Sequence, residues 1–146
     1  MYKYLVVSLL TISSSVGMAD DLFDTLLYKE KESPIEETPL NTIAVQENLT
    51  ELIKPLSECT AENRCYTAHW KLVKNILYLH SVRKDVGVNV PLSSIFPGSI
   101  GPVKAHWYSG TLRVHSGRKL IVCDSESILV VEIADGILMR EYYECP

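Results

Sequence analysis

The chain has 146 residues, 47% of them apolar and 22% charged, the make-up of one compact domain rather than of a disordered or collagen-like polymer. Fourteen Lys and Arg stand against eighteen Asp and Glu, a net charge of -4, which argues against affinity won by neutralising phosphates, so nucleic acid is not an expected partner. Four cysteines, Cys59, Cys65, Cys123 and Cys145, are too few for a disulfide-dense miniature and enough for two bridges.

At the start of the chain Lys3 precedes an apolar run from Leu5 to Ile12, followed by Ser13, Ser14, Ser15 and Gly17. As a helix that run would rise only about 12 Å, far short of the roughly 30 Å hydrocarbon core of a bilayer. The layout is that of a secretory signal peptide over residues 1–19, and Gly17-Met18-Ala19 places small residues at a cleavage site before Asp20. The expected location is periplasmic or secreted, with no integral membrane segment left after cleavage.

Charge is unevenly spread. From Asp20 to Glu62 there are eleven acidic and three basic residues, a local net of -8, whereas residues 63–146 carry seven acidic and ten basic residues, a local net of +3. In the acidic part, Leu22, Phe23, Leu26 and Leu27 share one stripe of a short helix, with Asp20 and Asp21 at its positive end. Glu32 to Pro39, with two prolines and three carboxylates, reads as an extended linker. Leu49, Leu52, Ile53 and Leu56 predict a second helix, ended near Pro55. Residues 20–56 are therefore expected to form an acidic helical arm with a Pro-containing linker, and residues 57–146 a disulfide-stapled β domain.

Beyond Tyr66 the period becomes alternating. A Lys74-Asn75 turn predicts a hairpin in which Trp70, Leu72, Leu77 and Leu79 face the core while His69, Lys71, Tyr78 and His80 face out, with His69 directly opposite His80. Pro91 to Phe96 has room for one helical turn. Val103 to Ser116 reads as a second hairpin that echoes the first, making Trp70 and Trp107 equivalent core anchors and pairing His106 with either His115 or Arg113. Lys119–Cys123, Ile128–Ile133 and Ile137–Tyr143, the last two joined by Asp135-Gly136, complete six or seven strands. The expected fold is mainly β, bordering on α+β: an antiparallel meander or rolled sheet with a short acidic N-terminal helical arm.

For the cysteines, the least demanding closures are Cys59 with Cys65 and Cys123 with Cys145. The four histidines lie in the two hairpins, and His69 with His80 is the one pair placed to share a Zn or Cu ion. No His-x-x-x-His spacing or third carboxylate ligand supports a metal, however, so neither metal nor cofactor is expected. Ser116-Gly117-Arg118-Lys119 has Ser-x-x-Lys spacing but lies in a Gly turn between strands rather than on a helix. No phosphate loop, dinucleotide fingerprint or zinc-protease motif is present. The leading expectation is a non-catalytic exported protein that binds a protein partner, as an inhibitor, an immunity-type protector or an envelope-assembly accessory, through the stripe Leu22, Phe23, Leu26 and Leu27. A small-ligand or metal-binding β domain using His69 and His80, with His106 and His115, is the alternative. An enzyme without a recognisable motif comes third.

Overall fold

The computed structural model describes residues 23–44, 66–84 and 88–146. The chain is mainly β with little helix, as its alternation predicts. In order along the chain come β1 (Asp24–Tyr28), β2 (Lys31–Ile35), α1 (Asn41–Ala44), β3 (Tyr66–Val73), β4 (Ile76–Lys84), β5 (Val88–Val90), α2 (Leu92–Ile95), β6 (Val103–Lys104), β7 (Gly110–His115), β8 (Ile128–Ala134) and β9 (Ile137–Glu144). Seven strands close a barrel in the order β3-β1-β2-β7-β8-β9-β4, with β4 returning to β3. The short β5 and β6 pair with β4.

The closure has two strong parts and two thin seams. The β2-β1-β3-β4 half and the β7-β8-β9 half are each laddered along their strands. They meet through one residue pair at each side, Ile35 with Val114 and Ile76 with Ile137. Side chains reinforce the first seam: Glu36 accepts from Arg113 and His115 at 3.2 and 3.0 Å, and Glu37 accepts the Arg113 backbone N–H at 2.7 Å.

Alternation puts one side of most strands inside. Leu26, Ile35, Ala68, Trp70, Leu77, Leu79, Val82, Leu112 and Val131 are all fully or almost fully buried, and such side chains supply most of the burial that offsets chain entropy. One end of the barrel is plugged by Leu40, which is fully buried, and by Trp107, which stacks on Phe96 at 5.1 Å and donates from Nε1 to Pro39 O at 3.1 Å. Trp70 and Trp107 do touch, with ring centroids 6.3 Å apart. They are not equivalent anchors: Trp70 lies on a strand inside the barrel, while Trp107 sits in a turn across its end.

The acidic arm needs the largest correction. Residues expected to be helical are β1, and residues expected to be a linker are β2, folded back on it through Lys29 and Glu30, both at positive φ. Stripe spacing over six residues fits a short helix and a strand alike, and a helix that short has little stability of its own. What decides is the place waiting between β2 and β3, where β1 pairs in parallel with β3. There Leu26 is wholly buried, and the buried Asp24 carboxylate accepts from Ala68 N at 3.0 Å and Trp70 Nε1 at 3.1 Å. Leu26 is thus part of the core and unavailable to a partner; Phe23 is 37% exposed and Leu27 half-buried. Pro34 is tolerated because β2 meets β7 at Ile35 alone, so its outer edge lacks a ladder for most of its length. Leu22, the expected helix at residues 49–56, the signal segment, and Cys59 with Cys65 lie outside the described residues.

The second hairpin does not form. Val103–Lys104 pairs with β4, residues 106–107 turn, and β7 pairs with β8 and β2. Consequently His106 faces neither predicted partner: Arg113 pairs with Val130 and His115 with Ile128. Lys119–Cys123 is a loop containing a turn, closed by Cys123 N donating to Leu120 O at 3.0 Å. The expected Cys123–Cys145 bridge is present, with a Cα separation of 5.2 Å, tying that loop to the end of β9.

Candidate functional site

The outer face of β1, β3 and β4 carries a hollow of about 380 Å³, lined by Leu27, Glu32, His69, Lys71, His80, Ser81 and Arg83, among others. Register builds it. Thr25 pairs with His69, and Leu27 with Lys71, across the parallel β1–β3 ladder, which brings these outward side chains side by side. Glu32 arrives from β2.

A bulge supplies the opposite wall. Trp70 pairs with Leu79 as expected, but His69 pairs with Ser81, leaving His80 as the extra residue. The core-facing residues Leu79 and Val82 are three apart where strict alternation would make them two, so His80 and Ser81 both lie outside the core, facing His69 and Lys71. His69 and His80 therefore do line one hollow, although not as the directly opposed pair predicted. That break in alternation was visible in the sequence and is the signal that would have found the bulge.

Hydrogen bonding orients the His69 ring. Thr25 Oγ1 donates to Glu32 Oε1 at 2.8 Å and lies 2.7 Å from His69 Nδ1, with Glu32 Oε1 a further 3.3 Å from that nitrogen. Because the single hydroxyl proton of Thr25 goes to the carboxylate, Nδ1–H is the donor to Thr25 Oγ1. Nε2 is then left facing away from this pair, and it is buried without a hydrogen-bond partner among the described residues. The Thr25 hydroxyl, chiefly, holds the Glu32 carboxyl below its usual range despite partial burial. Desolvation, followed by the nearby Lys71 and His69, lowers His80 below its ordinary value.

Thr25 and Glu32 both address Nδ1, the nitrogen that the orienting carboxylate takes in a serine-type triad, and among the described residues no hydroxyl bonds to Nε2. Lys71 and Arg83 flank the rings, and among the described residues no group of three or more His, Cys, Asp or Glu converges as a metal cage.

The other predicted sites are dispersed. His106 Nδ1 is 3.3 Å from Lys104 O, and its ring meets the edge of Trp107. His115 belongs to the Glu36 seam. Ser116 Oγ is buried and bonded to Ser127 O and Arg118 N rather than to Lys119. No family model, curated protein or solved structure matches this chain. Thr25, Glu32, Ser81 and Arg83 were missed as site residues because none belongs to a local motif: Thr25 and Glu32 arrive through the β1–β3 and β1–β2 pairings, and Ser81 and Arg83 through the bulged β3–β4 hairpin.

The Cys123–Cys145 bridge is compatible with an oxidising, exported location. Among the described residues no helix is long and apolar enough to cross a membrane.

Proposed function

We propose that the chain is a non-catalytic exported binding protein, periplasmic or secreted, whose site is the hollow on β1, β3 and β4 and whose ligand is a small oxyanion of the phosphate or carboxylate kind. One observation carries the reading: Lys71, Arg83 and His80 line one hollow together with His69, against the single carboxylate of Glu32. On a protein of net charge -4, two fixed cations and two imidazoles around a single carboxylate form a local attraction for anions. Charge-assisted hydrogen bonds from such groups are among the stronger polar contacts available.

The ring chemistry adds a proton. His80, held below its ordinary pKa by desolvation and then by the nearby Lys71, gains a proton more readily when an anion offsets that charge. Binding therefore tightens as pH falls and His80 takes up its proton.

The test is an NMR titration of the full chain with inorganic phosphate, following the ring protons of His69 and His80. Both rings should shift, and Arg83→Ala should weaken binding roughly tenfold. Rings that ignore phosphate, sulfate and acetate alike would overturn the proposal, as would Zn binding through His69 without any response to anions.

A further inference from the structure

A second feature lies on the opposite half of the barrel. Every residue of β8 except Glu132 and Ala134 is buried, yet its neighbour β9 has no buried residue along its eight positions. The ladder explains why. β9 pairs with β8 from end to end, but its other edge meets β4 only at Ile137, flanked by bonds from Leu77 N to Gly136 O and from Leu138 N to Asn75 O. From Met139 to Glu144 that edge has no ladder partner among the described residues. Met139 is 67% exposed and Tyr143 39% exposed along the same stretch.

An unpaired edge is a template for another strand, and most proteins cover it or shorten it. Here six residues lack a ladder partner among the described residues, although the Glu141 side chain is held by Lys29 at 2.9 Å, and their sequence, Met-Arg-Glu-Tyr-Tyr-Glu, is complementary to itself when reversed about Tyr142. In an antiparallel pairing centred there, Arg140 of each chain stands opposite Glu144 of the other. Centring on Glu141 instead would set two carboxylates face to face, which is repulsive. The outward side of β9 that would carry these pairs is already ordered. Arg140 is held by Glu132 through two bonds of 3.1 and 2.8 Å and lies over the Tyr142 ring at 4.8 Å, while Glu144 is held by Arg113 at 2.9 Å.

We propose that the free edge of β9 is a self-association surface, joining two copies antiparallel about Tyr142 so that the two β7-β8-β9 sheets become one six-stranded sheet. The occupant is a second copy of this chain because the charge order along the edge reads as its own complement, without needing a partner of different composition. The surface is separate from the histidine hollow, which lies on the other half of the barrel and stays open.

Sedimentation velocity on the full chain over a wide concentration range tests this. A monomer–dimer equilibrium is expected. Arg140→Glu, which places Glu opposite Glu144 twice, should weaken it roughly tenfold or more, and the reversed pair Arg140→Glu with Glu144→Arg should restore it. Tyr142→Cys should give an oxidised dimer linked at the two-fold axis, since directly opposed strand positions bring Cβ atoms to about 5 Å. Thermal melts of each variant confirm that the fold is retained. A chain that stays monomeric at all concentrations overturns the proposal. So does a dimer indifferent to the charge reversal, or one that Tyr142→Cys does not cross-link, either of which would place association on another surface or another protein.

Discussion

The two halves of the barrel are built by different rules. In the β7-β8-β9 half, neighbours in sequence are neighbours in space, and the Asp135-Gly136 turn is written in residues that favour positive φ. In the β2-β1-β3-β4 half, the β1–β2 hairpin is inserted against a strand that begins 38 residues after β1 ends, in the only parallel ladder among the described residues. The first half carries a disulfide and an edge without a ladder partner among the described residues; the second carries the candidate ligand site. The contrast teaches that the chemistry lies where the assembly is non-local: Thr25 and Glu32 orient His69 only because a distant hairpin docks beside it.

The largest expected effect breaks the inserted half outright. A chain lacking residues 20–38 loses β1, β2, the Asp24 bonds and the seam to β7, and it should show no cooperative thermal transition by circular dichroism. Were the segment an arm that merely visits the surface, that transition would survive. A finer blow to the same half is Asp24→Ala, which leaves Ala68 N–H and the Trp70 indole N–H without this acceptor. It should cost about 4 kcal/mol in urea unfolding.

The locally built half should prove more forgiving. Replacing Cys123 and Cys145 by Ser opens a loop with a sequence separation of 22, and urea unfolding should register a loss of about 3 kcal/mol. Gly136 lies at φ +77, and a Cβ there would stand 2.7 Å from Ala105 O. Gly136→Ala should therefore cost about 2 kcal/mol, read from the shift in melting temperature, because the positive φ and the backbone contact both oppose a side chain.

The smallest effect is electrostatic and returns to the hollow. His80 has a folded pKa below the ordinary histidine value of 6.5, so between the two values the unfolded chain binds more protons than the folded one. Stability contributed at this site is complete above that window and falls as pH drops through it. Relative to His80→Gln, the native protein should lose melting temperature as pH is lowered below 6.5, and inorganic phosphate should reduce that loss. A pH profile identical in the two proteins would remove His80 from the site.

Much of the β domain was legible residue by residue. Alternation in Trp70, Leu72, Leu77 and Leu79, the Lys74-Asn75 and Asp135-Gly136 turns, the helical turn near Pro91 and the Cys123–Cys145 closure all depend on a few neighbouring residues or on a sheet end. The Lys29-Glu30 turn was not legible, because neither residue favours positive φ and the β1–β2 pairing holds them there. The echo between the two Ala-His-Trp segments misled for a related reason. Similar residues met different neighbours, a strand partner in one case and the plugged end of the barrel in the other.

By itself, the sequence determined that the chain is mainly β, that its acidity is concentrated before residue 63, and that histidines and lysines occupy outward strand positions; these follow from composition and from period-two alternation. Only the tertiary structure decided that residues 24–28 and 31–35 are strands rather than helix and linker, that His69 stands against Ser81 with His80 bulged out, and that the far edge of β9 lacks a ladder partner among the described residues. Each of these is a choice of partner between segments far apart in the chain. Local propensity over five or six residues is too weak to make that choice, whereas burial of Leu26, Ile35 and Asp24 in a place left by other strands is strong enough to impose it.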